Sequence, residues 1–362
     1  MNYVILTIIV VILSLLYDNM KDSGDKTIRM ALLLSICAVL CLFASLRSSY
    51  NDTKSYIAIF QSTPTNFYSI FADEFLIGNT YLSRIFNFLI YNFLSKDYHI
   101  YFFVCSVFFV VPAIFVMEKY SVNFSFSVLL FMTSGLYLFS LAAIRQSIAI
   151  GLLILGFDAF NQQRYRRYIY LCLLATSFHI YSIIALVLIF LKKEKLFGVK
   201  MNIACIGVLL LGVGMTEFSA FFSEFASVIG KDISQEEINT GSVSIYRAMV
   251  YLAPFILIFV SRIKLNRKNI YVQNVFVLLT ILSAMLMTLA LFGNPVLLGR
   301  LPYYFLFGTV ISIPYVVNNA FTKSSVGLAK FMVILCYCAY EIYELHLDEA
   351  FTRDIFKLMW FS

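Results

Sequence analysis

Apolar runs long enough to cross a bilayer follow one another along the whole chain, separated by short charged loops. Residues 2–17, 30–47, 99–118, 124–141, 146–161, 201–216, 246–262, 271–292, 299–317 and 325–344 each form such a run. A spanning helix needs roughly 20 mostly apolar residues, or about 17 at the lower limit. In lipid only helices and closed barrels satisfy every backbone polar group. Barrel strands would alternate apolar and polar residues, whereas 4–16 and 152–157 are apolar without alternation. The chain is 61% hydrophobic and 13% charged, against about 25% charged in soluble domains, so it needs lipid as its solvent. The expected fold is an all-α polytopic membrane protein of roughly 10–12 membrane segments. Residues 1–362 read as one domain, with no repeat and no Ser/Gly-rich linker. The first run lacks a basic leader and a small-residue cleavage site, so it reads as a retained span.

The net charge of +7 belongs to topology, because most basic residues sit in short loops; no nucleic-acid partner is expected. The 24 Tyr and 37 Phe suit membrane interfaces. All seven cysteines fall within apolar runs, where Cys behaves as a small hydrophobe. Cys336 and Cys338 have no matching partner pair, so no metal site is expected.

Basic loops face the cytoplasm. They contain Lys21, Lys26 and Arg29; Arg164, Arg166 and Arg167; Lys192, Lys193, Lys195 and Lys200; and Arg262, Lys264, Arg267 and Lys268. Loops 49–79 and 217–245 are acidic and should face outward, with the N-terminus. Both flanks of 168–191 are basic, which predicts a broken hairpin with its break at Thr176-Ser177-Phe178-His179. By the same parity 75–96 cannot be a full crossing. Leu82, Ile85, Phe86, Leu89, Ile90 and Phe93 recur at helical spacing, which predicts an interfacial amphipathic helix.

Charge at membrane depth costs several kcal/mol and usually faces a cavity. Arg145 lies between two apolar runs at a predicted outer helix end. It reads either as a snorkelling residue or as a fixed cation for a phosphate, which Arg grips in bidentate fashion. His179 reads as a packing histidine or as a proton carrier. Arg300, between Gly299 and Pro302, reads as an interfacial anchor or a second phosphate ligand, and Arg247 has a similar reading. Asp52 either caps a helix beginning near Thr53 or acts as general base on a sugar hydroxyl. Asp73 and Glu74 form a second acidic pair in the same loop, and Asp158 reads as structural. Guanidinium groups and carboxylates on one face suit a lipid-linked diphosphate donor with an alcohol acceptor. Diphosphate is a good leaving group, and no Asp-x-Asp signature occurs. The expected reaction is metal-independent and uses no cofactor.

Three segments resemble the EpsG-like group of Wzy-type polysaccharide (O-antigen) polymerases. They are Asn51-Asp52-Thr53-Lys54-Ser55-Tyr56, Ile144-Arg145-Gln146-Ser147-Ile148-Ala149, and Arg164–Tyr168 leading to Ser177-Phe178-His179. Gly299, Arg300, Tyr303 and Tyr304 are consistent with the same family. The resemblance implies a glycosyltransferase C-like membrane fold in the bacterial inner membrane. It also implies polymerisation of undecaprenyl-diphosphate-linked repeats at the periplasmic face, for O-antigen, capsule or exopolysaccharide. On that reading Asp52 and His179 are catalytic. Arg145, Gln146, Arg300, Arg247, Tyr56, Glu74 and Tyr303 hold diphosphate or glycan. Partners are the lipid-linked donor and acceptor, the bilayer and a chain-length regulator. The rival readings are another lipid-linked glycan transferase or ligase, and a flippase or transporter. A ligase is disfavoured by the modest, His-free loop 217–245, and a transporter by the lack of repeats.

Overall fold

The computed structural model describes residues 2–21, 25–71, 81–192, 197–214, 224, 241–267, 271–295 and 298–347. Every regular element among them is helical. By internal contacts the chain forms two compact units, Met1–Ile183 with Lys330–Ser362, and Ile184–Ala329. Among the described residues six helices are long and apolar enough to cross a membrane, or seven if a bent pair counts as one span. The shorter apolar helices Tyr3–Asn19, Ile180–Ile189 and Val199–Val208 add to these. The protein is a multi-pass helical membrane protein.

The first unit contains α1 (Asn2–Asn19), α2 (Lys26–Ser45), α3 (Thr53–Gln61), α4 (Tyr81–Leu89) and α5 (Tyr98–Tyr120). It continues with α6 (Phe124–Thr133), α7 (Leu136–Ala142), α8 (Ile144–Asn161) and α9 (Tyr165–Phe178). Short polar side chains set the starts. Asp25 accepts from the Thr27 and Ile28 amides at 2.9 and 3.2 Å, Asp97 from His99 at 2.9 Å, and Asn123 from Phe126 at 2.8 Å. Each satisfies a first-turn N–H that has no intrahelical acceptor.

Polar contacts fix which helix ends meet. At one end the Tyr17 hydroxyl donates to Glu118 at 2.6 Å and accepts from Arg29 at 2.7 Å, joining α1, α2 and α5. Lys119 pairs with Asp158 at 2.6 Å, joining α5 to α8, with Tyr120 and Gln162 donating to the same carboxylate. Asp158 is therefore structural, as its sequence position indicated. Within this unit the basic loops around Arg29 and around Arg164–Arg167 lie at this end. At the opposite end the His99 imidazole meets the Ser45 carbonyl at 2.7 Å, where α2 finishes and α5 begins. The end of α2 and the start of α5 therefore lie together.

Two features differ from the expected pattern. The run 124–141 is not one straight span: it breaks at Ser134-Gly135, bending by 45°. Gly135 sits at φ +81°, a conformation that Gly adopts without steric cost. The second difference is the orientation of α4. Ser83 and Arg84 are buried, while Leu89, Phe93 and Leu94 are exposed. Phe88 is buried beside Ser83 and Arg84, so the buried face of α4 is mixed rather than purely apolar. The described part of 75–96 is α4 followed by a π turn, Ile90–Leu94.

The break expected within 168–191 is present. Helix α9 ends at Phe178, His179 is extended at φ −149°, ψ 111°, and a 3-10 helix runs Ile180–Ile189. Helix α8 is the buried centre of the unit, packed by α5 and α9. Gly151 makes this possible, since a Cβ there would lie 1.9 Å from the Phe108 carbonyl oxygen. The C-terminal helix α14 (Val326–Leu347) joins the unit from Lys330 onward. Its Glu341 accepts from Thr7 of α1 at 3.0 Å.

The second unit holds α10 (Val199–Val213), α11 (Ile245–Arg267), α12 (Tyr271–Leu289) and α13 (Tyr303–Ala320). Helix α13 is buried continuously from Tyr303 to Val317, as expected of a helix that is apolar all round. Gly308 lets α12 approach it: a Cβ there would meet Leu279 Cβ at 2.3 Å and the Phe276 carbonyl at 2.5 Å. A hydrogen bond between the Thr280 and Ser312 hydroxyls (2.7 Å) and one from Ser283 to the Pro302 carbonyl (2.9 Å) fix the register.

Candidate functional site

In the first unit the candidate residues gather at the end opposite the basic loops. Ala143, at φ −120° and ψ 69°, separates α7 from α8. Arg145 is therefore in the first turn of α8, half-buried, followed by Gln146, which is buried. The first-turn amides of a helix carry partial positive charge and favour anions. Arg145 adds a full charge at the same point.

Arg84 brings a second guanidinium from α4. Burial lowers its pKa, and the charge of Arg145 lowers it further, against a raising contribution from Tyr81. The two cations are thus within electrostatic range of each other. Arg84 itself is 5% exposed and donates to the Ile70 carbonyl at 3.2 Å.

Asp52 sits at the start of α3 but its side chain makes no capping hydrogen bond. The capping role that its position offered is not realised. The preceding turn is strained, with Tyr50 at φ 150° and Asn51 at φ 48°. Asn tolerates the left-handed region, whereas a bulky aromatic there is uncommon. Such strain persists where the surroundings over-determine it, and it clusters at functional sites. Tyr56 lies one turn along α3, half-buried.

A third guanidinium, Arg47, lies beneath this turn. It is 2% exposed and stands 4.1 Å over the Phe102 ring. Tyr137, Cys105, Tyr101 and Tyr56 lie within electrostatic range of it. Tyr101 is also within electrostatic range of Arg145. Arg47, Tyr56, Tyr101 and Arg145 therefore form one polar neighbourhood. His179 follows the last residue of α9, which packs on α4. The Phe178 ring meets Phe86 edge-on at 5.7 Å, and the His179 ring lies 5.6 Å from that of Tyr181.

The remaining candidates collect in the second unit, at the N-terminal ends of α11 and α13. Arg247 is in the first turn of α11 and Tyr303 opens α13, with the Tyr251 and Tyr303 rings edge-on at 6.2 Å. Arg300 lies in the turn just before α13, half-buried. Gly299 is required there, because a Cβ would lie 2.3 Å from the Pro295 carbonyl and 3.0 Å from Val243 Cγ2. Glu74 and Asp73 fall outside the described residues.

Arg47 and Arg84 carry no sequence motif that would single them out. The one signal for Arg84 was its place on an amphipathic segment flanked by apolar residues. Arg47 ends an apolar run, where a snorkelling cation is the ordinary expectation.

Fold and side-chain placement together define a polytopic helical membrane protein with cationic residues at helix ends in each of its two units. The chain belongs to the EpsG family, whose model matches residues 30–357. That membership gives it a polysaccharide-polymerase-like role, a glycosyltransferase-like function in polysaccharide biosynthesis. No curated protein and no solved structure is matched at a significant level.

Proposed function

We propose that the protein joins undecaprenyl-diphosphate-linked oligosaccharide repeats at the periplasmic face of the bacterial inner membrane, without a metal. The observation that carries this reading is the place of Arg145 in the first turn of α8, with the Arg84 guanidinium of α4 within electrostatic range of it. Two like charges held together repel, and an anion between them turns that cost into attraction. A diphosphate fits this role, since guanidinium groups bind phosphoryl oxygens in bidentate fashion.

The reaction proceeds by transfer of the growing glycan from its lipid diphosphate to a sugar hydroxyl of the incoming repeat. Asp52, or His179, takes the hydroxyl proton. The freed oxygen attacks the donor's anomeric carbon, and the bond from that carbon to the diphosphate oxygen breaks. Undecaprenyl diphosphate leaves with the bonding pair, its charge stabilised by the guanidinium groups. Donor and acceptor each carry a diphosphate. Arg145 with Arg84 and Gln146 holds a diphosphate in the first unit, and Arg247, Arg300 and Tyr303 of the second unit are taken separately as diphosphate or glycan ligands. Tyr56 and Glu74 contact glycan.

Deletion and complementation, read on a surface-glycan gel, test this assignment. Loss of a polymerase leaves single-repeat chains on the acceptor. Loss of a flippase leaves none, and loss of a ligase leaves polymer on the lipid. Arg145→Ala and Arg300→Ala should each abolish the ladder with protein still in the membrane. Normal ladders from both would remove the diphosphate assignment.

A further inference from the structure

Arg47 is the largest fully buried side chain of the described residues, and no step above uses it. Among those residues no carboxylate lies within salt-bridge distance of it. A buried guanidinium is costly unless its donors are used, so its contacts define what it does.

One contact reaches the strained turn. Arg47 Nε donates to Thr53 Oγ1 at 3.3 Å. Thr53 Oγ1 in turn donates to the Tyr50 carbonyl at 2.6 Å, and the Thr53 amide donates to the same oxygen at 2.9 Å. The Thr53 hydroxyl has one hydrogen, which goes to Tyr50, so toward Arg47 it acts only as acceptor. The relay thus has one direction: guanidinium to hydroxyl to carbonyl. It closes over Tyr50 and Asn51, the two residues with positive φ, and holds the next residue, Asp52. A second contact, to the Ala44 carbonyl, anchors the guanidinium to the last turn of α2.

The other side of Arg47 faces α7 and α8. A partly open cavity of about 10 Å³ lies between Arg47, Ser106, Ser140, Ile144 and Ser147. This volume matches one water molecule. Each serine gives its hydrogen to a nearby backbone carbonyl: Ser106 to Phe103 at 2.7 Å, Ser140 to Tyr137 at 2.6 Å, and Ser147 to Ala143 at 2.8 Å, with the Ser140 carbonyl at 3.3 Å as its second acceptor. They therefore present acceptor lone pairs. Arg47 has five N–H donors and spends two on Thr53 and Ala44. Donors on one wall and acceptors on the other suit a hydrogen-bonded bridge between Arg47 and the start of α8.

We infer that Arg47 is a positioning residue that sets the strained turn bearing Asp52 against the helix bearing Arg145. The inference rests on the proposed polymerase reading for its catalytic consequence, and on Arg47 geometry for its structural one. The two separate experimentally. Hydrogen–deuterium exchange over residues 50–56 reports the turn without any need for activity. Polymerisation of a purified lipid-linked repeat, at saturating and limiting substrate, reports the chemistry.

Thr53→Val removes the hydroxyl and keeps the shape, Thr53→Ser restores it, and Arg47→Lys keeps the charge and loses the fork. Thr53→Val and Arg47→Lys should each speed exchange over 50–56 and lower the saturating rate by about tenfold, the scale of one lost hydrogen bond. KM should stay within about twofold of wild type. Thr53→Ser should restore both readouts. Unchanged exchange in Thr53→Val and Arg47→Lys overturns the inference, whether or not activity falls. Faster exchange with an unchanged rate upholds the structural link and removes Asp52 from the chemistry. A raised KM with an unchanged saturating rate would make Arg47 a substrate ligand and overturn its positioning role.

Discussion

Replacing Gly151 by Ala should damage this protein, whereas the same change at Gly207 should not. A methyl at Gly151 would stand 1.9 Å from the Phe108 carbonyl oxygen and 2.9 Å from its carbon. Carbon–oxygen contacts normally begin near ~3.3 Å, so α8 must retreat from α5 by roughly 1.4 Å at that point. Overpacking costs about 1–3 kcal/mol, and backbone atoms cannot rotate away, which favours the upper half of that range. Alanine returns about 1 kcal/mol of helix propensity, leaving a net loss of roughly 1–2 kcal/mol. At roughly 2–4 °C per kcal/mol for larger domains, thermal stability in detergent should fall by a few degrees. Arg145 lies fewer than two turns upstream on the same helix. A misplacement near 1 Å can cost ~100-fold in rate, so activity should drop further than stability. At Gly207 a Cβ meets nothing within 4 Å, so only the propensity gain applies, and stability should hold or rise by up to about 1 kcal/mol. Thermal loss of the monodisperse peak in size-exclusion chromatography, beside glycan laddering, measures both. A Gly151→Ala protein with wild-type stability and ladders would refute the close packing of α8 on α5.

Three further outcomes are expected. Asp52→Asn should lower polymerisation by ~100-fold or more if the carboxylate is the base; a wild-type rate in a complementation gel would move that role to His179. Asp158→Asn weakens the contact with Lys119, Tyr120 and Gln162. It should cost about 1 kcal/mol of stability and leave the ladder intact, and loss of the ladder at normal protein level would place the chemistry at the wrong end. A cysteine at Lys195 should be labelled by impermeant reagent only from the cytoplasm, and labelling from outside only would overturn the hairpin expected for 168–191.

Most of the helical architecture was legible in the sequence because burial in lipid imposes long apolar runs with little tolerance. The break at His179 was legible because basic flanks on both sides of 168–191 contradict a single crossing. The break at Ser134-Gly135 was not. A glycine inside an apolar run leaves hydropathy unchanged, and only tertiary contacts decide whether it bends the helix. The burial of Ser83 and Arg84 on α4 escaped for a related reason. Helical spacing tells which residues share a face, but whether that face meets lipid or protein depends on the neighbours. Arg145 and Arg300 stood out as cations between apolar runs. Arg47 and Arg84 lie beside polar or loop residues, where charge looks ordinary until burial is known.

Transfer of repeats by the purified protein in lipid nanodiscs, supplied only with an undecaprenyl-diphosphate-linked oligosaccharide, tests the polymerase assignment most directly. Wild-type protein should yield a ladder of products and release undecaprenyl diphosphate one-for-one with new linkages, while folded Arg145→Ala protein should leave the substrate as single repeats. A wild-type preparation that makes no linkage, or an Arg145→Ala preparation that makes them at the wild-type rate, would contradict it.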